Sequence, residues 1–464
     1  MKRVAIILIL AASACTTMEP RYVQPDPAIP TSWPVGDPYL RQSEAALPAI
    51  SYAQVFQDPR LQQLIGQALT NNRDLAIAAA NIAAARERVR IQRANQLPRI
   101  DATAGGDIRA ADDSSADASF NVGAGVSNFE LDLFGRLRSL TDAERARYFA
   151  TEAGARATRI TLVADIASAW LAHAADSSLL LIARQTAESA EKSVRLTRLR
   201  LEGGIAPRTD LRQAELVLTQ AQADLAQQRT AVAQDINVLQ LLVGAPIDPK
   251  LLAGNIEQAA GSIASLPPGI DSYILLRRPD VLEAEYQLRA ANAQIGAARA
   301  ALFPRISLTG LAGLASSALT GLLTGGAFNW SAGADATYTI FQAGAGRANV
   351  RLTEAQRNAT VATYQRAVQT AFREVADALA RRGTINDEIA ARQRQRIAAS
   401  DTYLLTEARY RAGIDNFLAS LDAQRSYYSA QRALVQTQLA AAQNSVDLYE
   451  ALGGDTLLQT APAG

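Results

Sequence analysis

The side chain with the most specific chemistry in this sequence is the thiol of Cys15, the only cysteine among 464 residues. A charged start, Met1-Lys2-Arg3, and an apolar run over 4–12 precede it, and the small residues Ala12-Ser13-Ala14 stand directly before it. This order is typical of a bacterial signal peptide. At such a site the cleaved chain begins with the cysteine, and its thiol is acylated. We therefore predict a signal peptide over 1–14 and a lipid, such as palmitate, on Cys15.

The neighbours of Cys15 indicate where the lipid would hold the chain. Ala12 stands three residues before the cysteine, where lipoprotein signals usually have leucine. Thr16 follows instead of an aspartate, so nothing in the sequence indicates retention in an inner membrane. A lipid here would anchor the chain to the periplasmic face of an outer membrane. The alternative is a stray unpaired cysteine.

Enzyme chemistry has little support elsewhere in the chain. His173 is the only histidine and lies inside a predicted helix, as a packed or solvent-facing residue. The sequence shows no metal-ligand cluster and no cysteine–histidine pairing. Gly344-Ala345-Gly346 is similar to a phosphate-binding fingerprint, but it lacks the third glycine and follows a predicted strand, so we interpret it as a strand-to-helix joint. We predict no enzyme activity, no cofactor and no metal.

Charge and hydropathy exclude two further classes. The net charge is +1, without a basic block, so nucleic-acid binding has no electrostatic support. No stretch of 18 apolar residues follows the N-terminal run, so no transmembrane helix is expected in the mature chain.

The chain repeats itself. Asp74 precedes Pro98 by 24 residues, and Asp280 precedes Pro304 by the same number. The matches in this part of the sequence share an offset of 206, which becomes 209 further on, as in Ile166 with Val375, Gly204 with Gly413, Leu225 with Leu434 and Gly244 with Gly453. A period near 200 residues is too long for a solenoid unit. It indicates a duplicated, domain-sized module.

Long segments rich in Ala, Leu, Arg and Glu, with almost no Gly or Pro, predict helices. They cover 72–97, 137–202 and 207–243 in the first half, and 279–304, 347–412 and 417–452 in the second. Gly203-Gly204 and Gly413 end the two long helices with left-handed caps, and Pro207 opens the next helix at its first turn. Each long helix spans ~95 Å at the α-helical rise. In each half the two short helices together have about the length of the long one, so we expect a long bundle or tube.

Between each short helix and its long partner the pattern changes to a period of two. Phe328, Trp330, Ala332, Ala334, Ala336, Tyr338 and Ile340 alternate with polar residues or Gly. In the first half, Phe120 to Val126 alternate in the same way, and the phase slips near Ser127-Asn128, which predicts a bulge. Strands of this length can cross a bilayer. An ordinary soluble hairpin with one wet face is the alternative.

Four such strands cannot close a barrel, and lipid does not tolerate open strand edges. We therefore predict that the protein oligomerises: two chains would give eight strands and three would give twelve. We expect Phe328, Trp330 and Tyr338 to form an aromatic belt that faces lipid, and Asp335 and Thr337 to face water. The predicted helix–strand joints are Pro98, Pro304, Gly135 and Gly344.

These patterns divide the chain into six parts. The signal peptide over 1–14 is followed by a lipidated, Pro-rich and extended segment over 15–57. The first structural repeat covers 58–245, with a helix, a β-hairpin at about 100–134, a long helix and a helix. A connecting segment covers 246–275. The second repeat covers 276–453, with its hairpin at about 305–341, and a tail follows over 454–464.

Several motifs are similar to one known family. Tyr410-Arg411-Ala412-Gly413-Ile414-Asp415-Asn416-Phe417 resembles a signature of the TolC-like outer-membrane factors. Other matches are Leu421-Asp422-Ala423-Gln424-Arg425, Arg278-Pro279-Asp280, Leu302-Phe303-Pro304-Arg305-Ile306 and Leu131-Asp132-Leu133-Phe134-Gly135. The resemblance covers about 20–455, and Cys15 places it nearest the OprM-like lipoprotein branch.

The resemblance implies the fold and the partners. It implies an α plus membrane-β protein: a homotrimer whose twelve-stranded outer-membrane β-barrel continues into a long periplasmic α-helical barrel. It also implies a periplasmic adaptor, or membrane fusion, protein and an inner-membrane pump of the RND type, so that the chain is a passive conduit for drugs or other small molecules. Protein secretion is an alternative within this class. A lipid-anchored periplasmic coiled-coil scaffold is a further one, although it does not explain the strands.

We expect a gate at the helix turns around Gly203, Gly204 and Gly413, which should form the periplasmic tip. We predict Asp415 and Asn416 as the gate residues. Asp415 has no acidic counterpart in the first repeat, where Ala206 stands at its position. Three Asp415 carboxylates around a trimer axis would make a cation-attracting constriction. The resemblance implies the same, because an acidic ring at this turn narrows the resting pore of the family. Alternatively Asp415 caps the following helix, a role that Asn416 could share.

Overall fold

The computed structural model describes residues 17–30, 32–34, 51–109, 117–264, 272–323 and 326–454. Cys15 and the predicted signal peptide over 1–14 lie outside these residues. The helices are α1 (Tyr52–Val55), α2 (Pro59–Asn71), α3 (Arg73–Ala94), α4 (Arg136–Glu202), α5 (Arg208–Val243), α6 (Ile256–Gly261), α7 (Pro279–Ala300), α8 (Ala345–Arg411) and α9 (Phe417–Ala451). The strands are β1 (Ile100–Arg109), β2 (Asp117–Leu131), β3 (Arg305–Ser316) and β4 (Phe328–Thr337).

All six predicted helices are present, with ends within a few residues of those expected. The long helices α4 and α8 both have 67 residues. Each is preceded by a 22-residue helix and a hairpin and is followed by a helix of 36 or 35 residues. The two halves of the chain therefore share one order of elements.

Three details differ from the sequence prediction. Strand β4 ends at Thr337, so the alternating run continues past the ladder and Tyr338 lies outside the strand. The Pro-rich segment contains the single turn of α1, which begins with a capping box at Ser51. Helix α2 was not predicted. Asp58 caps it and Pro59 occupies its first position, while Leu61, Leu64, Ile65 and Ala68 are buried on one face.

The chain forms two compact units. The first contains Met1–Pro27, Ala80–Ala153 and Leu282–Arg366. Its extended N-terminal segment packs along α7. There the side-chain amide of Asn292 donates to the carbonyl of Pro20 over 2.8 Å. Gly296 makes room for this segment, because a Cβ there would lie 2.9 Å from the backbone nitrogen of Glu19. The segment is therefore held by close backbone packing as well as by hydrogen bonds.

The second unit contains Ala28–Ala79, Gly154–Val281 and Ala367–Gly464. Its largest buried side chains include Trp170, Tyr449 and Phe56, and the rings of the last two meet edge to face at 5.2 Å. The indole of Trp170 donates to the carbonyl of Leu251 over 2.9 Å. This hydrogen bond satisfies the one polar atom of a buried aromatic side chain. The core therefore ties α4 to the segment that connects the two repeats.

Candidate functional site

The four strands form one antiparallel sheet in the order β1-β2-β3-β4, and their register aligns an apolar face. Val122 pairs with Ala104 and with Leu314, and Leu314 pairs with Phe328. Because partner residues in a sheet share a face, these side chains lie in one row across all four strands. The next row combines Ala102, Ala124, Ala312 and Trp330 in the same way. The opposite face carries the polar residues of each strand, such as Asp101, Ser119, Thr309 and Asp335.

A bulge in β2 keeps its apolar residues on this face. The register shifts between Val126, which pairs with Gly310, and Phe129, which pairs with Leu308. Three steps along β2 therefore match two along β3, and the one extra residue restores the phase. Asn128 adopts a left-handed φ of 55° at this point. The predicted phase slip is thus confirmed as a β-bulge.

The outer strands of the sheet leave hydrogen-bonding groups unpaired. Within the described residues, β1 pairs only with β2 and β4 pairs only with β3. Side chains of β4 are exposed along its whole length, including Phe328 and Trp330, which is 71% exposed. Tyr338 is also exposed, in the segment that follows the strand. A sheet with one apolar face and two free edges needs both an apolar environment and further strands.

The predicted joints lie between strands and helices. Pro98 stands between α3 and β1, and Pro304 stands between α7 and β3. Gly135 and Gly344 directly precede the long helices, with left-handed φ values of 70° and 84°. Gly135 has a second constraint, because a Cβ there would lie 2.9 Å from the Cα of Thr17. The chain two residues after Cys15 therefore packs against the joint between β2 and α4.

The two helix turns in the second unit have the same backbone geometry. The amide of Ile205 donates to the carbonyl of Arg200 over 2.8 Å, and that of Ile414 to the carbonyl of Arg409 over 2.9 Å. Gly204 and Gly413 both have left-handed φ values, whereas Gly203 does not. This is the Schellman arrangement of a helix C-terminus. Glycine is needed at these positions because other residues rarely adopt that conformation.

The side chains at the two turns differ. Arg409 forms two hydrogen bonds to Asp415, from Nε to Oδ2 over 2.6 Å and from Nη2 to Oδ1 over 2.9 Å. The hydrogen bonds from Arg409 lower the pKa of Asp415 below its ordinary value, so the carboxylate stays ionised. Asn416 is the cap of α9, because its Oδ1 accepts from the amide of Ala419. The alternative in which Asp415 caps the helix is therefore wrong.

Arg200 occupies the position in the first repeat that Arg409 has in the second. Ala206 stands where the first turn would need an acid, and Arg200 instead reaches the second turn. Its Nη1 donates to the carbonyl of Tyr410 over 2.8 Å, and its guanidinium lies 4.6 Å from the centre of the Tyr410 ring. The arginine at this position therefore bonds within its own turn in the second repeat. In the first repeat the corresponding arginine contacts the other turn and so joins the two turns.

The residues that could have suggested enzyme or metal chemistry have structural roles in the fold. His173 is buried inside α4, as a packed helix residue. Gly344 precedes α8, and Ala345 and Gly346 are its first two residues, as predicted for a joint. In the described ranges, no group of three or more His, Cys, Asp or Glu side chains could hold a metal ion. By length and composition α4 is able to cross a membrane, and half of its most apolar window is buried in the protein, so this helix alone is weak evidence for a membrane span.

Known proteins resemble this chain along almost its whole length. The family described as "Outer membrane efflux protein" matches residues 64–245 and 272–454. The solvent efflux pump outer membrane protein SrpC of Pseudomonas putida is 40% identical over 98% of both chains. The antibiotic efflux pump outer membrane protein ArpC of the same species is 41% identical, over 96% of this chain and 93% of its own. The open-state MtrE outer membrane channel of Neisseria gonorrhoeae has a TM-score of 0.85 at 35% identity, covering 95% of this chain and 99% of that one.

Proposed function

Because the chain belongs to the outer membrane efflux protein family, we propose that it is the outer-membrane channel of a tripartite efflux system. It receives small molecules from an inner-membrane pump through a periplasmic adaptor and conducts them passively out of the cell. The named relatives serve pumps for solvents and antibiotics, so apolar drugs and solvents are the proposed substrate class. This is a transport family and not a class of enzymes.

The sheet is the observation that carries this proposal. In the described part of the chain, one copy supplies four strands with a common apolar face and two unpaired edges. Lipid requires every backbone group of a spanning strand to be paired, so the edges must join those of other copies. Three copies give twelve strands, which is enough for a barrel with an open lumen, whereas two give the eight of the smallest barrels, whose interior is filled by side chains. We infer a trimer with a twelve-stranded barrel.

Restored efflux tests this function. In a bacterium that lacks its own channel but keeps pump and adaptor, expression of this chain should lower the accumulation of an ethidium-type dye and raise resistance to apolar drugs. The purified protein should also insert into planar bilayers as a water-filled pore. A protein that binds membranes but neither conducts ions nor restores efflux contradicts the proposal and favours a lipid-anchored scaffold.

We propose further that Cys15 is lipidated. Packing of Thr17 against Gly135 supports this, because Thr17 follows Cys15 by two positions in the sequence and itself lies beside the joint where β2 ends and α4 begins. The barrel, and not the lipid, should hold the protein in the membrane. Cys15→Ser behind a non-lipoprotein signal is expected to give an unacylated N-terminus by mass spectrometry and a membrane-inserted trimer. Recovery of only soluble monomer would show that the anchor is essential.

We propose further that Asp415 lines the periplasmic gate and that Arg409 is its ion-pair partner there. If the second turns meet around a trimer axis, each Asp415 arrives with its charge balanced by Arg409. Asp415→Ala would then leave three unpaired arginines, so cation preference should fall and conductance should rise. Arg409→Ala should have the opposite effect on selectivity, because it frees the acids. Both changes in selectivity are expected because the sign of the net charge around a narrow pore decides which ions it attracts.

Planar-bilayer recordings measure both quantities. Asn416→Ala is the matched control, because it removes a helix cap worth about 1 kcal/mol and changes no charge at the turn. It should leave selectivity as in the unaltered protein. Unchanged conductance and selectivity in Asp415→Ala, with the trimer intact, would place the gate elsewhere.

A further inference from the structure

Two carboxyl groups from neighbouring helices face each other in the second unit. Asp176 lies on α4 and Asp235 on α5, and their side chains are within hydrogen-bonding reach. Oδ2 of Asp235 is buried, and no donor from the described residues reaches it. Two ionised carboxylates at this separation repel each other and offer acceptors alone. A proton on one carboxyl supplies the missing donor and removes the repulsion.

The nearby histidine does not neutralise the pair. His173 lies one turn before Asp176 on α4 and donates to the backbone carbonyl of Ala253 in the connecting segment. Its Nδ1 is buried without a partner, which assigns the donated proton to Nε2. A second proton on Nδ1 would be a buried and unpaired donor, and burial accordingly lowers the pKa of His173. The hydrogen bond to Ala253 and the charge of Asp176 act in the opposite direction on this pKa, without reversing its fall. The imidazole is therefore neutral at pH 7.5, and the carboxyl pair takes its proton from solution.

We propose that Asp176 and Asp235 form a proton-binding site that clamps α4 to α5 when one proton is shared and loosens them when it leaves. The clamp lies beside the connecting segment. The amide of Ile256 donates to the hydroxyl of Ser178 over 3.0 Å, close to the Ala253 contact of His173. Loss of the proton would therefore act on α5 and on the segment that joins the two repeats. This is a regulatory site in addition to the proposed channel function.

The direction of the pH dependence follows from the titration of the pair. Burial raises the pKa of Asp235 to about 6, and the charge of Asp176 contributes to this rise. Burial also raises the pKa of Asp176. A group whose pKa is higher in the folded than in the unfolded protein stabilises the fold fully below its ordinary value of 3.8, and this contribution is lost as the pH rises through about 6. The clamp therefore holds in acid and weakens towards neutral pH.

Infrared spectroscopy of the intact, detergent-solubilised protein tests for the bound proton. Between pH 7.5 and pH 5 the carbonyl-stretch band of a protonated carboxyl should appear. Asp176→Asn and Asp235→Asn should each remove the same band, because the proton belongs to the pair. Asp248→Asn is the control, since Asp248 caps a short 3-10 helix nearby with an exposed side chain. A band that persists in both pair variants overturns the proposal.

Thermal melting gives a second readout. The side-chain amide that Asp235→Asn introduces donates to Asp176 at every pH, so this variant imitates the protonated pair. It should melt several degrees above the unaltered protein at pH 7.5 and at the same temperature at pH 5. An equal difference in melting temperature at both pH values would show a structural effect without proton binding and would also overturn the proposal.

Discussion

Ala334→Arg is expected to reduce assembly of the membrane-inserted protein sharply. Ala334 lies in β4 opposite Leu308, which pairs in turn with Phe129 of β2, so all three residues belong to the apolar face. If this face meets lipid, a charged side chain near the bilayer midplane costs about 2–4 kcal/mol for each chain. A trimer would carry this cost three times. Trimer yield in outer-membrane fractions, measured by electrophoresis without heating, should therefore fall sharply, together with drug resistance.

Gly333→Arg is the matched control for this substitution. Gly333 is the adjacent residue, so it lies at the same depth but on the opposite face. A Cβ there would meet nothing within 4 Å, so the new side chain has space in the chain. Thr337→Arg, on the same polar face at the end of the strand, should also be mild. Equal assembly defects for Ala334→Arg and Gly333→Arg would reverse or cancel the assignment of the two faces.

The sequence predicted the sheet well because its information is periodic. Alternation in β4 and the phase slip before Phe129 were both readable, since a period of two and a single-residue insertion leave direct traces in the order of residues. The end of β4 at Thr337 was not readable. The alternation continues to Ile340, whereas a ladder ends where its partner strand does, at Arg305. Strand ends depend on pairing, which the sequence of one strand does not contain.

The gate residues show which contacts the sequence pattern does not reveal. The turn glycines were predictable, because left-handed caps need them. The pairing of Arg409 with Asp415 was missed, since the two residues are six positions apart and meet only because the turn folds back. Helix α2 was missed although its signals were present. Asp58 followed by Pro59, ahead of apolar residues at helical spacing, is a helix start that sequence reasoning could have used.

Loss of the Arg278 side chain is expected to destabilise the second unit more than loss of any surface ion pair. Its Nε and Nη2 donate to Asp280, over 3.0 and 2.8 Å, and Nη2 also donates to Glu374 over 2.9 Å. Its Nη1 donates to the carbonyl of Ala451, at the end of α9, over 2.7 Å. The side chain is only 9% exposed. One guanidinium therefore joins the start of α7, the middle of α8 and the last turn of α9.

Arg278→Met should lower the free energy of unfolding by about 2–3 kcal/mol. Breaking a fully buried ion pair costs ~3–5 kcal/mol. The cost here is smaller because the side chains of Asp280 and Glu374 remain 42% and 37% exposed and can be hydrated. Arg278→Lys should recover little of this stability, because an ammonium group cannot make the bidentate contact with Asp280. Urea unfolding followed by circular dichroism measures these differences, and a loss below about 1 kcal/mol for Arg278→Met would contradict the prediction.

The first repeat supplies the control, because Asn72 occupies the corresponding position. Its Nδ2 donates to the carbonyl of Leu242 over 2.8 Å, as Arg278 does to Ala451 in the second repeat. Its Oδ1 also accepts from the amides of Asp74 and Leu75 and so caps α3. Arg278→Asn would place the same cap before α7, which is worth about 1 kcal/mol. Its stability should therefore lie between those of Arg278→Met and the unaltered protein. Equal stability of Arg278→Asn and Arg278→Met would contradict this expectation. It would show that asparagine at position 278 does not join the start of α7 to the end of α9 in the way that Asn72 joins the start of α3 to the end of α5.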